Sequence, residues 1–352
     1  MSEITLEITP SARLDVIDVN RRIAEFSEGF ASKFSHGLYC SYHTTAGYLE
    51  DSILKRLNNQ PESIEAFCRS FRHVFPPGAD YEHDKLDLRT ELTEEERRNE
   101  PKNADSHLTF IGAGLENCVV YPIDAARPAY FIDLDGVNGS LRRTRRTTVI
   151  GYNREARAAT FKLDVPMANH AISSVSFHDQ KLGLLEEIND MIARLGVKKG
   201  RVEIMLDEDE RKAGLTVNEY ETLLMRHDLA EVLGDPLRFM KEKGRNMLRD
   251  PKAIPGKAKN YAKYDLPQVL NEMFDTLGMN HSLVERVVDR LMAMPAERFF
   301  RMKRSVTLLV NGSDGSSPGR IVHGKYQSPI LVQWAKPDGG RRQVNVTITA
   351  LE

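Results

Sequence analysis

From Ile4 to Leu351 the chain alternates short strand-like runs with segments of helical spacing, and turn-forming residues keep each run short. Ile4 to Ile8 alternates Ile, Leu and Ile, and Leu14 to Val19 follows beyond Pro10-Ser11, so the two are read as an opening hairpin. Ile23, Phe26 and Phe30 then recur at helical spacing, and Leu38 to Tyr42 forms a strand that runs into His43. Tyr48 to Val74 is helical, with a fresh start at Pro61 and an apolar set of Ile64, Phe67, Cys68 and Phe71. Ala104 to Ile111 is a short helix, and Asn117 to Tyr121, Ala129 to Leu134 and Thr147 to Tyr152 are strands. Elements in this order predict an α+β fold.

The composition turns small and polar at Asn153 to Ala159, which places a domain boundary there. Residues 1–153 are expected to form a mixed sandwich and residues 154–352 a larger α+β domain rich in helices. Its strands are read at Thr160 to Val165, Ile172 to Phe177 and Arg201 to Leu206, and then at Val306 to Val310, Pro329 to Trp334 and Val344 to Leu351. Helices are read at Leu182 to Leu195, Leu223 to Leu233, Leu237 to Leu248, Leu266 to Leu277 and Leu283 to Met294. No fixed-period repeat is visible. Asp207 to Glu210 is read as a helix start, and Asn311 to Ser317 as a loop without the lysine of a P-loop. Lys252, Lys257, Lys259 and Lys263 around Pro255-Gly256 are read as a solvated surface.

With 49 basic against 51 acidic side chains, the net charge of −2 supplies no field to select nucleic acid or an acidic membrane. No segment reaches the roughly 18 apolar residues that span a bilayer, so a cytoplasmic protein is expected. Cys40, Cys68 and Cys118 form no CxxC pair. A disulfide framework and a thiolate zinc site are therefore not expected, and the three are read as small buried hydrophobes.

The chemistry gathers in the first half. Cys40-Ser41-Tyr42-His43-Thr44-Thr45-Ala46 sets two hydroxyls after a histidine at a strand end, an arrangement suited to holding an oxyanion or orienting a metal ligand. His83 lies in a polar stretch, Gly78 to Asn103, read as surface, and Asn103-Ala104-Asp105-Ser106-His107 adds an amide, a carboxylate and another imidazole. Imidazole with carboxylate suits zinc or another first-row divalent ion. The separations of His43, His83 and His107 match no short zinc signature, so the residues alone stop at a candidate site.

Four motifs in order, His43-Thr44-Thr45-Ala46 after a strand, Tyr81-Glu82-His83, Asn103-Ala104-Asp105-Ser106-His107 and Val119-Val120-Tyr121-Pro122, resemble the YjbQ-like family, often labelled secondary thiamine-phosphate synthases. The resemblance spans residues 1–153. It implies a compact α+β sandwich that assembles as a homotrimer, with a pocket near the subunit contact. His43, His83 and His107 would line that pocket as ligands of a divalent metal, zinc first, oriented by Asp105 and Asn103, with His83 or Asp105 moving a proton. It also implies that Thr44 and Thr45 face the substrate. Asp133-Leu134-Asp135-Gly136 followed by Arg142 to Arg146 is similar to a later family stretch, which assigns Arg143 and Arg145 to a phosphate or carboxylate. The family's Gly-x-x-x-x-Gly-x-Trp-Gln pattern before the acidic motif is missing here, where Ala125 to Asp133 stands instead. The function implied is a metal-assisted, thiamine-phosphate-synthase-like enzyme acting on a phosphorylated small molecule. The alternatives are a non-catalytic phosphate-binding module and a structural trimer.

Overall fold

The computed structural model describes residues 1–27, 29–124, 127–235, 238–239, 242, 302–312 and 318–352. They fall into two compact units, one of Met1–Asn59, Gly114–Tyr220 and Met302–Glu352, the other of Gln60–Ala113 with the described part of Glu221–Arg301. The helices read at 266–277 and 283–294, the lysine group at 252–263 and most of the helix read at 237–248 lie outside the described residues, as does part of the loop read at 311–317. No described helix is long and apolar enough to cross a membrane.

The first unit opens with β1 (Ser2–Ile8), β2 (Asp15–Asp18), α1 (Val19–Phe26), α2 (Phe30–Lys33), β3 (His36–Ser41), β4 (Ala46–Gly47) and α3 (Asp51–Arg56). In the second unit α4 (Pro61–Val74), α5 (Glu94–Asn99) and α6 (Ala104–Ala113) follow. The chain then returns to the first unit with β5 (Cys118–Pro122), β6 (Tyr130–Asp133), the small hairpin of β7 (Val137–Asn138) and β8 (Leu141–Arg142), and β9 (Arg145–Tyr152). The opening hairpin read from the sequence is corrected here. β1 pairs with β9 and β2 with β6, because a short alternating run fits a distant partner strand as well as a neighbouring one. One sheet has the order β1-β9-β3-β5 and the other β2-β6-β4, all pairs antiparallel.

Asn153 and Arg154 carry the chain directly into β10 (Glu155–Pro166), β11 (Ser173–Ser176), α7 (Leu184–Leu195), β12 (Lys199–Leu206) and β13 (Ala213–Asn218). Gly196, with a φ of 66°, ends α7 in a left-handed turn that a side chain would strain. Asp207 to Glu210, read as a helix start, is instead part of the turn from β12 to β13. Its acidic run is held there by Lys162, which pairs with Asp207, and by Arg304, which donates to the backbone carbonyls of Asp207 and Glu210. In the second unit a short π-helical turn (Leu224–Asp228) leads into α8 (Leu229–Gly234). The first unit closes with β14 (Ser305–Asn311), β15 (Arg320–Val322), β16 (Ser328–Gln333) and β17 (Arg341–Leu351). These strands form sheets of order β10-β17-β12-β14-β15 and β11-β16-β13.

The two halves of the first unit therefore share one topology. β10, β17, β12 and β14 take the places of β1, β9, β3 and β5, while β11, β16 and β13 take those of β2, β6 and β4. The repeat escapes a search for periodic residues because it is carried by strand order. It begins where the composition changes, after Asn153. The halves share apolar contacts: Leu38, Cys40, Cys118, Ile150 and Tyr152 of the first pack with Leu309 and Leu351 of the second. Cys40, Cys68 and Cys118 are free and buried, as expected.

Leu309 has no exposed surface in that shared cluster. Leu309→Ala is expected to cost roughly 2–5 kcal/mol, seen as a lower urea midpoint at unchanged slope. An unchanged midpoint would mean that the two halves are not stabilised through this cluster.

Candidate functional site

In the second unit, the amphipathic helix α4 packs on α6, and all ten residues of α6 are buried, polar ones included. The segment before α6 was expected to be surface. Its charged run does form an exposed helix, α5, closed by a reciprocal Thr93–Glu96 capping box. Its other half turns inward: His83 and Asp84 are buried, and Arg89 is 1% exposed.

Asp84 explains why that inward turn is stable. Its Oδ1 accepts the backbone N–H groups of Asn103 (3.1 Å) and Ala104 (3.0 Å), serving the open donors at the start of α6. The same oxygen lies 3.1 Å from His83 Nδ1. Arg89 Nη1, which can only donate, lies 3.3 Å from His83 Nε2. The proton of His83 is thereby assigned to Nδ1, facing Asp84, and Nε2 is left as the acceptor. The loop is fixed from below by Asp228, whose carboxylate accepts the N–H of Glu82 (3.0 Å) and of His83 (2.9 Å). Sequence reasoning missed Asp228. Its signal was weak, an acid beside Arg226 and His227 in the mixed stretch Leu223 to Leu233, which also holds Glu231.

The rings of His83 and His107 are 5.0 Å apart, tilted by 51°, and each offers a nitrogen within 4.8 Å of the other's. Both are essentially fully buried. Asn103, the residue just before α6, stands four positions from His107, whereas Asp105, two residues from His107 on α6, is turned about 200° away from it. Asp105 and Asn103 are both buried. Helical spacing favours Asn103 over Asp105 as a neighbour of His107.

His43 belongs to the first unit and is described there, with Thr44, Thr45 and the arginines. It follows β3, and its Nε2 accepts the backbone N–H of Arg146 at 2.7 Å, which leaves its proton on Nδ1. Burial, followed by the positive fields of Arg145, Arg143 and Arg146, pushes His43 down to about 3. The imidazole is neutral, a hydrogen-bond donor among guanidinium groups. Arg145 starts β9, an interior strand of its sheet, and is buried. Its Nε and Nη2 grip Asp133 at 2.6 and 2.7 Å, and Nη2 also reaches Thr45 Oγ1 at 3.1 Å. Burial raises Asp133 above the usual carboxylate value against the pull of Arg145. Arg143 gives Nη2 to Asp135 at 3.0 Å, while its buried Nε has no partner among the described residues. Of the two arginines assigned to an anion, Arg145 is committed to Asp133, and Arg143 keeps a donor in hand.

A pattern like the one missing from the first half stands in the second, with Tyr326 in place of its tryptophan. Gly319-Arg320-Ile321-Val322-His323-Gly324-Lys325-Tyr326-Gln327 reads Gly-x-x-x-x-Gly-x-Tyr-Gln, and Asp338-Gly339 with Arg341 and Arg342 follows it.

No family model and no curated protein matches this chain. Solved structures similar to it include a YbjQ-like protein of unknown function from Sulfolobus solfataricus P2, 15% identical, with 56% of this chain and 99% of that one covered at a TM-score of 0.30. A hypothetical protein from Aeropyrum pernix K1 is 16% identical, covering 54% and 97% at 0.28. An uncharacterised conserved protein of the YjbQ family from Clostridium acetobutylicum is 13% identical, covering 53% and 98% at 0.27. The last carries the name of the family that the motifs of residues 1–153 resemble.

The depressed value of His43 has a consequence for acid stability. The unfolded chain, near 6.5, takes up a proton before the folded one does, so the stability from a neutral His43 is present above about 6.5 and is lost as the pH falls towards about 3. Urea midpoints measured from pH 7 to pH 4 should fall less steeply for His43→Gln than for the unsubstituted protein. Parallel curves would mean that His43 titrates normally.

Proposed function

We propose that this chain is a YjbQ-like enzyme acting on a phosphorylated small molecule, with a divalent metal ion, zinc first, held by His83 and His107. The reading is carried by the buried His83–His107 pair, with Asp84 fixed behind His83. A carboxylate on Nδ1 sets the tautomer and turns a basic Nε2 outward, which is how ligating histidines are commonly held. Two imidazoles suit zinc better than calcium or magnesium. Arg89 occupies the same nitrogen at 3.3 Å, so its contact and a metal bond exclude one another. A bound divalent ion would supply positive charge to a phosphoryl oxygen or leaving group.

Within the first unit by itself, Arg143 and the Nδ1–H of His43 are proposed as donors for an anionic group, with the Thr44 and Thr45 hydroxyls beside His43 in the sequence. Arg145 holds Thr45 in place through its hydroxyl. His83, whose Nδ1–H faces Asp84, is a group for proton transfer only when its Nε2 is not bound to the metal, and Asp105 is a second acid on α6 for that role. Assembly as a homotrimer in the cytoplasm belongs to the same proposal, and three unpaired cysteines suit a reducing compartment.

Metal analysis of the purified protein tests this reading. About one equivalent of zinc or another first-row ion per chain is expected, lost in His83→Ala and in His107→Ala while the far-ultraviolet spectrum is kept. Asp84→Asn should weaken the metal by about 10–100-fold. A folded protein that takes up no metal would end the proposal.

A further inference from the structure

The topological repeat extends to individual residues. Ser41 faces Thr147 across β3 and β9, and Leu206 faces Val344 across β12 and β17, which makes Arg145 and Arg342 equivalent. The smaller sheets give an independent register. Asp133 lies opposite both Asp15 and Ala46, and Gln333 lies opposite both Ser173 and Ala213. The two registers meet in one contact: Arg145 Nε donates to Asp133 Oδ2 at 2.6 Å, and Arg342 Nε donates to Gln333 Oε1 at 3.1 Å. The isolated bridges agree, Tyr48 with Glu116 and Leu215 with Lys303, each two residues beyond its alanine. So do the bonds from Val19 N to Ala129 O and from Phe177 N to Pro329 O.

The copies differ where the first carries its chemistry. Between the last residue of β3 and Ala46 stands Tyr42-His43-Thr44-Thr45, whereas the matching turn, Asp207 to Lys212, has no histidine and no threonine. The second copy is distinguished instead by two buried amides, Asn218 and Gln327. Asn218 Nδ2 donates to Thr44 O at 3.1 Å. Gln327 Nε2 donates to Ser41 O and to His43 O, each at 3.0 Å, and its Oε1 accepts Gly324 N–H at 2.8 Å. Gly324 has to be a glycine, since a Cβ there would overlap the carbonyl oxygen of Tyr42. From the first copy, Asn117 adds a side-chain donor to these carbonyls, reaching His43 O at 2.6 Å.

The positions equivalent to the two amides in the first copy are Asp51, five residues past Ala46, and Arg127, six before Asp133. These two pair with each other as an ion pair. One pair of positions has thus become a local salt bridge in one copy and a set of donors to the other copy's loop in the second.

We infer that residues 155–351 are a diverged second copy of the fold of residues 2–152, and that this copy serves as the first copy's built-in partner. Asn218 and Gln327 are positioning residues that hold the backbone of the His43–Thr45 loop. A carbonyl row pinned at Ser41, His43 and Thr44 directs the His43 ring so that Nε2 meets the Arg146 N–H, which fixes the proton on Nδ1. This inference does not depend on the metal or the phosphorylated substrate proposed above.

Histidine-labelled full-length protein tests it by nitrogen-15 NMR at pH 7, with the His43 signal assigned by its loss in His43→Gln. The unsubstituted protein should show a single tautomer with the proton on Nδ1. In Gln327→Met, which keeps the apolar stem and loses the donors, and in Asn218→Ala, the His43 nitrogens should move towards a mixed tautomer. Amide exchange over residues 42–46 should rise at least tenfold, while the other histidines keep their shifts. Asp51→Asn, at the equivalent position of the first copy, should leave His43 unchanged. An unaltered His43 signal and unaltered loop exchange in folded Gln327→Met and Asn218→Ala would overturn the inference. So would a common shift of all histidine signals, which marks a general loss of packing rather than of one loop.

Discussion

Each large sheet is completed by the last strand of its half, and that strand lies in the interior. β9 sits between β1 and β3, and β17 sits between β10 and β12. Neither sheet can satisfy its inner backbone donors and acceptors until the end of its segment has returned to the middle, so the fold rests on pairings between residues more than a hundred positions apart. The strand that enters last also brings in the charged group. Arg145 and Arg342 stand near the starts of β9 and β17, each anchored to the strand of the opposing smaller sheet, at Asp133 and at Gln333. Closing the sheet and seating the guanidinium are one event in each half.

Burial decides what the polar residues of the first half can do. Arg145 is used up by Asp133, because an unpaired guanidinium or carboxylate in that interior would carry a large desolvation cost. His43 stays neutral for a related reason, being enclosed among positive groups with its Nε2 already bonded to a backbone amide. His83 and His107 have a different surrounding. A carboxylate that also caps a helix fixes His83, so the stability of α6 and the orientation of the imidazole share one oxygen atom of Asp84.

The sequence revealed elements better than pairings. The strand Val344 to Leu351 was legible because alternation records which residues face the core. The partner of β1 was not, since a run like Ile4 to Ile8 fits a neighbouring hairpin as well as a distant strand. β13 was passed over because Ala213 to Asn218 is buried along its whole length and shows no alternation. The histidines and arginines were found from their motifs. Asp228, Asn218 and Gln327 were not, because each acts on backbone groups far away in the chain, and no local pattern reports a hydrogen bond to a distant carbonyl.

The repeated topology bears on how such a chain can change. In an assembly of identical subunits every substitution appears in all copies at once, so a residue needed in one place is frozen in every place. Joining two copies in one polypeptide removes that coupling. One half can give up its histidine and threonines, as the turn Asp207 to Lys212 has done, while the other keeps them. Asymmetry of this kind is inherited through the linkage at Asn153-Arg154 and needs no second gene product to maintain it.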